Sequence, residues 1–455
     1  MSKRFDPITG EVVPVFFHYA VPSIIGMLAA TSAGMIDGIF IGNFVGASAL
    51  AAVNIAMPAF YLFAAVVFML AVGGSVMCGK FLGENDIEAA SSIFSKTLYA
   101  AVAVSGFIVA VSLFFLDGIV ALLGANQDLH GMVRDYMQII FWAAPLLIIG
   151  LTLEYFVRVD GRPVLASVAL VTFAVSNITL DWLFIAHWGW GIKGAAWATS
   201  LSEGVILIIL VSHLFHRNCT LKLVSVPNRW RKGWDSVFRA AYNGFSEFAN
   251  EMSLGLITLL FNWVMITRLG VEGVAAFTII GYLLMIGIEV CYGISESLQP
   301  AVSKNLGARQ PRRIVQFTVT AVISSFIIGL LVSALFVLQP DALISIFLSE
   351  GEKGTKAIAL AFIAVFWPAF LFNGVNITLA SYFTALHKPL QSAAIAVSRS
   401  LVLPGLGLLL LPRWLGDTGI FVAIPVAEGL TFGFALILVS MNRPSRIVEE
   451  LAQGS

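Results

Sequence analysis

Apolar residues fall into long runs near 15–45, 50–78, 96–123, 132–157, 163–186, 192–215, 236–267, 274–303, 314–339, 357–385, 390–412 and 417–441, with short segments rich in Gly, Pro and charge between them. Each run can cross the ~30 Å hydrocarbon core of a bilayer as a helix. Helices are expected throughout, because lipid offers no partner to unpaired backbone groups and the two-residue alternation of a barrel strand is missing. The pattern predicts an all-α integral membrane protein with about twelve transmembrane helices.

Composition agrees: 59% of the 455 residues are hydrophobic and 11% charged, with a mean hydropathy of +0.92, whereas soluble domains carry about 25% charge. Lys and Arg (26) balance Asp and Glu (26), so no net charge points to a nucleic-acid partner. Cys78, Cys219 and Cys291 share no disulfide or zinc spacing. Acidic residues and Pro7 precede the first apolar run, so a cleaved signal peptide is not expected. Placing the N-terminus inside puts nineteen Lys and Arg on the cytoplasmic side, among them Lys80, Arg158, Arg229, Arg231, Lys232 and Lys304, against six outside. Both termini are therefore expected on the cytoplasmic side of the membrane. The basic stretch 216–235 reads as a cytoplasmic linker between six-helix lobes at 1–215 and 236–455, and alternatively as a patch for lipid or a partner. A monomer in the bilayer is expected.

The two halves repeat. At a shift of 224 residues, VGASALAAVNI from Val45 overlies LGVEGVAAFTI from Leu269, and GKFLGENDIEAA from Gly79 overlies SKNLGARQPRRI from Ser303. Lys80 falls on Lys304 and Gly83 on Gly307. An even number of spans per copy makes the repeats parallel, which suits one half rocking against the other around a central cavity.

Together, PSIIGM…MIDGIFIGN…ALAAVNIAMP, LGEND…AA, YFVRVDGRP, NITLD and NLGARQ resemble the multidrug and toxic compound extrusion (MATE) transporters, with DGRP pointing to a prokaryotic DinF-like or MepA-like branch. The resemblance spans nearly all of residues 15–441. It implies the MATE/MOP-type fold and a cation-coupled exporter of varied amphiphiles, many of them cationic.

The carboxylates inside the runs raise a separate question, since an aspartate at a span centre costs about 2.5–3.5 kcal/mol on insertion scales. At 1.5 Å per residue, Asp37, Asp181 and Thr199 share a depth of roughly 9–12 Å below the outer surface. Asn177 lies one turn from Asp181, and Glu203 one turn from Thr199. Two carboxylates in one low-dielectric site do not both ionise comfortably, so they share a proton or a cation. The neutral oxygens of Asn177 and Thr199 suit either. The resemblance implies the same set, Asp37, Asn177, Asp181 and Thr199, as the cation-coupling site, for H⁺ or Na⁺, with no other cofactor.

The second half does not repeat this set, because Phe261 is the mate of Asp37. Glu251 and Glu289 lie near mid-membrane and are expected to attract a cationic substrate. Arg399 is read as the one clear intramembrane cation, neutralising a neighbour. Glu247 and Glu296 are expected either in the cavity or paired with Arg239 or Lys304 at the cytoplasmic end. Some branches of the family carry an Asp in helix 10; here Asn373 and Asn376 stand in that helix as cavity candidates. Met27, Tyr61, Tyr155, Tyr292 and Met285 are candidate cavity walls, and Pro22, Pro58, Pro145, Pro300, Pro368 and Pro404 candidate kinks. A flippase for a lipid-linked precursor, which needs a cationic cavity, and an exporter of one specific metabolite are the alternatives. The sequence holds no HExxH, GxSxG or metal-spaced His cluster, so an enzyme is not expected.

Overall fold

The computed structural model describes residues 3–217, 219–224, 234–345 and 353–453. Arg229, Arg231 and Lys232 of the expected linker lie outside the described residues. Among the described residues the chain is all helix, and eleven helices are long and apolar enough to cross a membrane, or twelve if one bent pair counts as a span. They are α1 Val12–Phe40, α2 Ala47–Gly83, α3 Ile87–Phe114, α4 Gln127–Val159, α5 Pro163–Asp181, α6 Gly191–Leu214, α7 Asp235–Gly270, α8 Glu272–Gly307 and α9 Pro311–Leu338. The bent pair Lys353–Phe366 and Ala369–Ala385 forms α10; Pro389–Leu415 is α11 and Thr418–Met441 is α12.

Local chemistry sets several boundaries. The third span starts nine residues earlier than its apolar run, because Asp86 caps it by accepting from the Ala89 amide at 2.9 Å. Its first turns carry serines yet are buried. The linker supplies their partners: the amides of Lys222 and Val224 donate to Ser91 and Ser95 at 3.1 and 2.9 Å. Asn126 caps α4 in the same way, accepting from Leu129 at 2.9 Å. Between α7 and α8 the chain turns at Gly270, whose φ of 67° costs a glycine little. Pro368 follows the break in α10, where the two segments meet at 61°. The Ser333 hydroxyl donates to the Trp367 carbonyl freed there, at 2.9 Å, as backbone at membrane depth requires.

Packing follows the order of the chain. Helices α1 to α6 pack chiefly on one another, and α8 to α12 do likewise. The seam between the two sets runs mainly along α2 against α7 and α8, with α1 against α8 beside it. Glycines make this seam close. A Cβ on Gly83 would run into the Lys304 carbonyl, and one on Gly307 into the Lys80 carbonyl; the pair Gly73 and Gly244 meets the backbones of Ala240 and Met69 in the same way. Gly83/Lys80 and Gly307/Lys304 are repeat mates, so the seam there is two-fold in character.

Candidate functional site

Among the described residues three helices carry π-type turns, and each turn lies beside an intramembrane charge. The turn Ile41–Val45 continues α1 after Asp37, Trp182–His187 follows Asp181 directly, and Ser398–Val402 contains Arg399. Such one-turn bulges widen the helix and redirect side chains, and they recur at functional sites.

In the first half, Asp37 and Asp181 face each other within hydrogen-bonding reach. Asp181 is 0% exposed. Both of its oxygens and Oδ1 of Asp37 are buried without a hydrogen-bond donor, so the facing pair lacks only a proton or a cation. The Asn177 amide donates to the Thr199 hydroxyl at 3.4 Å, next to Asp181 in the α5–α6 interface. All four expected residues therefore lie on the α1, α5 and α6 faces that pack together. Tyr136 of α4 lies within range of both carboxylates and was not singled out from the sequence. Glu203, one turn from Thr199 on α6, also lies within electrostatic range of Glu154 of α4.

Between the halves lies a cavity of about 200 Å³. Glu247, Glu251, Glu289 and Glu296 line it, with Tyr155, Tyr292, Met27 and Arg399. Glu289 also reaches Thr31 of α1. Glu247 and Glu296 belong to this cavity rather than to cytoplasmic-end pairs: Glu296 bonds to residues of α4, and the Arg239 guanidinium donates to the Asp235 carbonyl at 3.3 Å. Tyr61 and Met285 are 45% and 41% exposed and stand outside the lining, although Tyr61 lies within range of Glu251.

Arg158, placed among cytoplasmic charges by the sequence, is instead 1% exposed and is a second intramembrane cation. It hydrogen-bonds Glu154 one turn back on α4, pairs through Nη1 with Glu296 Oε2 at 2.8 Å, and lies 5.3 Å from the centre of the Tyr155 ring. The Tyr155 hydroxyl donates to Glu296 Oε1 at 2.7 Å.

Asn373 and Asn376 do not face the cavity. They donate to Glu428 of α12 at 2.6 and 2.7 Å, and Arg399 Nη1 lies 3.6 Å from the same carboxylate. Arg399 also donates to Asn250 at 3.4 Å, and Asn250 to the Tyr292 hydroxyl at 3.0 Å. Glu428 is thus the neighbour that Arg399 neutralises. Glu154 and Glu428 were missed, although each is a carboxylate inside an apolar run, the same signal that marked Asp181.

The MatE family model matches residues 22–183 and 248–407, the two segments that carry the paired carboxylates and the cavity helices. The chain belongs to the MatE family. It is 23% identical over 456 residues to the multidrug export protein MepA of Staphylococcus aureus, covering 98% of each chain. A MATE crystal structure in complex with MaL6 superposes with a TM-score of 0.93 at 21% identity, covering 99% of this chain and 100% of that one. The outward-facing conformation of a multidrug resistance MATE family transporter of the MOP superfamily gives 0.90 at 22% identity, with 98% of each chain covered. At these identities the solved structures establish the fold, MATE/MOP-type, in a multi-pass membrane protein.

Proposed function

We propose that this MatE protein exports cationic amphiphiles from a prokaryotic cell, acting as a monomer in the cytoplasmic membrane with both termini inside. The observation that carries the reading is the cavity between the halves: Glu247, Glu251 and Glu289 line it with no ion pair among the described residues. Half-buried carboxylates with no ion-pair partner favour a cation over a neutral or anionic molecule. That charge balance counts against a lipid-pyrophosphate cargo. The names of the curated relatives agree with export of several drugs rather than of one metabolite.

Asp37 and Asp181, with Asn177 and Thr199, are the proposed coupling site. A proton or Na⁺ arriving from outside satisfies the facing carboxylates, and it drives export only if the two access states bind it with different affinity. The halves 1–215 and 236–455, joined by the linker 216–235, act as two lobes that part on one side while meeting on the other. The close seam at Gly83 and Gly307 lies, in the proposed orientation, at the cytoplasmic ends of the helices.

The test is efflux of ethidium from proteoliposomes under an imposed pH gradient or an imposed Na⁺ gradient, beside an anionic dye. Cation efflux driven by one gradient supports the proposal and names the ion. Efflux of the anionic dye alone, or none under either gradient, overturns it and brings the flippase forward.

A further inference from the structure

Four side chains, Glu154, Tyr155, Arg158 and Glu296, meet beside the cavity with an unequal set of bonds, and Tyr155 and Glu296 line it. Arg158 hydrogen-bonds Glu154 on its own helix. Its contact with Glu296 crosses from α4 to α8 and is looser: Nη1 and Oε2 lie 2.8 Å apart, yet neither atom makes an aligned hydrogen bond. The Tyr155 hydroxyl, also on α4, supplies the one aligned bond to Glu296 among the described residues. Glu154 and Glu296 are 3% and 7% exposed, so each needs a cation or a proton close by.

Separation of α4 from α8 has an asymmetric result. Arg158 keeps Glu154 as its counter-ion and stays neutralised, whereas Glu296 loses both Arg158 and Tyr155. A buried carboxylate in the cavity wall is then left open to another cation.

Building on the exporter reading above, we propose that Arg158 is a tethered cation that exchanges with the cationic substrate on Glu296. When the lobes part on the cytoplasmic side, Glu296 accepts the positively charged substrate. When they close, Arg158 returns to Glu296 and displaces the substrate towards the opposite exit. Glu154 makes the exchange cheap, because Arg158 is never left alone in the membrane. The device favours permanently charged cations, since a neutral cargo gains nothing from a vacated carboxylate.

The experiment measures equilibrium binding of tetraphenylphosphonium, and of an uncharged analogue of the same size, to the full-length protein in nanodiscs, together with efflux of the cation. Glu154→Gln/Arg158→Gln removes the tethered cation with its resident counter-ion, so no unpaired Glu154 confuses the result. The expected outcome is tighter tetraphenylphosphonium binding, by about tenfold or more for a competing charge removed at close range, with slower efflux and no change for the uncharged analogue. Glu296→Gln should weaken cation binding by about tenfold, and serves alone if the double variant does not fold. Arg158→Lys, which keeps the charge, should stay near wild type in both readouts. Unchanged cation affinity in the foldable variants, or an equal change for the uncharged analogue, overturns the proposal and leaves the cluster a static staple. Wild-type protein that exports no cation at all would bring down the exporter reading as well, whereas normal export with indifferent variants would bring down only this exchange.

Discussion

Enlarging Gly83 tests whether the seam between the halves is as close as its backbone contacts imply. In Gly83→Ala the new methyl falls on the Lys304 carbonyl, a backbone atom that cannot swing aside. The two helices must part by roughly 1 Å or more to regain ordinary van der Waals separation. Overpacking of this kind costs about 1–3 kcal/mol. Charged only to the state in which the seam is closed, that cost moves a two-state equilibrium roughly 5- to 150-fold towards the open seam. Gly307→Ala should behave alike, since its methyl meets the Lys80 carbonyl, whereas Gly106→Ala in α3 meets nothing within 4 Å and should be neutral. Spin labels across the seam, on exposed positions near Lys80 and Lys304, would report the distance distribution in nanodiscs. The expected result is a longer-distance population in both seam variants. Variants indistinguishable from Gly106→Ala would refute the argument.

Three further outcomes are expected. Glu428→Ala strands Arg399 in the membrane, where it is 7% exposed, and should cost about 3–5 kcal/mol, read as a lower thermal unfolding temperature in detergent; an unchanged temperature would contradict the pairing. Ser333→Ala removes the donor to the Trp367 carbonyl and should cost about 1 kcal/mol, with faster amide exchange at the α10 break as its local signature. Burial and the nearby Asp160 carboxylate push the Cys219 thiol, outside the spans, up to about 11. It stays protonated over the range in which an ordinary thiol, near 8.5, ionises, so its alkylation should still rise with pH up to about 11, and Asp160→Asn should shift that curve to lower pH; a rate that levels off near the ordinary thiol range would refute the placement.

What the sequence revealed was whatever repeats along it. Apolar runs marked the spans, except where buried polar turns extended them: the start of α3 lay outside its apolar run because Ser91 and Ser95 interrupt the apolar pattern, and the linker that satisfies them comes some 130 positions later. The 224-residue shift had already set Gly83 over Gly307, and the structure gives that match its reason. That Asp37, Asn177, Asp181 and Thr199 lie close together was legible because carboxylates and amides stand out in apolar runs, depth can be counted along a helix, and the family resemblance implies the same four. The partners of Glu296 were not, since Arg158 sits near a span end and looked like a loop cation. Its burial depends on α4 meeting α8, a contact no local pattern encodes. Asn373 and Asn376 were read as cavity groups because their acceptor, Glu428, lies more than 50 residues further along the chain.

The central claim is that the facing carboxylates Asp37 and Asp181 convert an ion gradient into export. The most direct measurement is ethidium efflux from proteoliposomes by wild type, Asp37→Asn and Asp181→Asn under the gradient that drives the wild type, paired with equilibrium ethidium binding to each. The account predicts that both variants bind ethidium with near wild-type affinity and show no gradient-driven efflux. Driven efflux at the wild-type rate by either variant would contradict it.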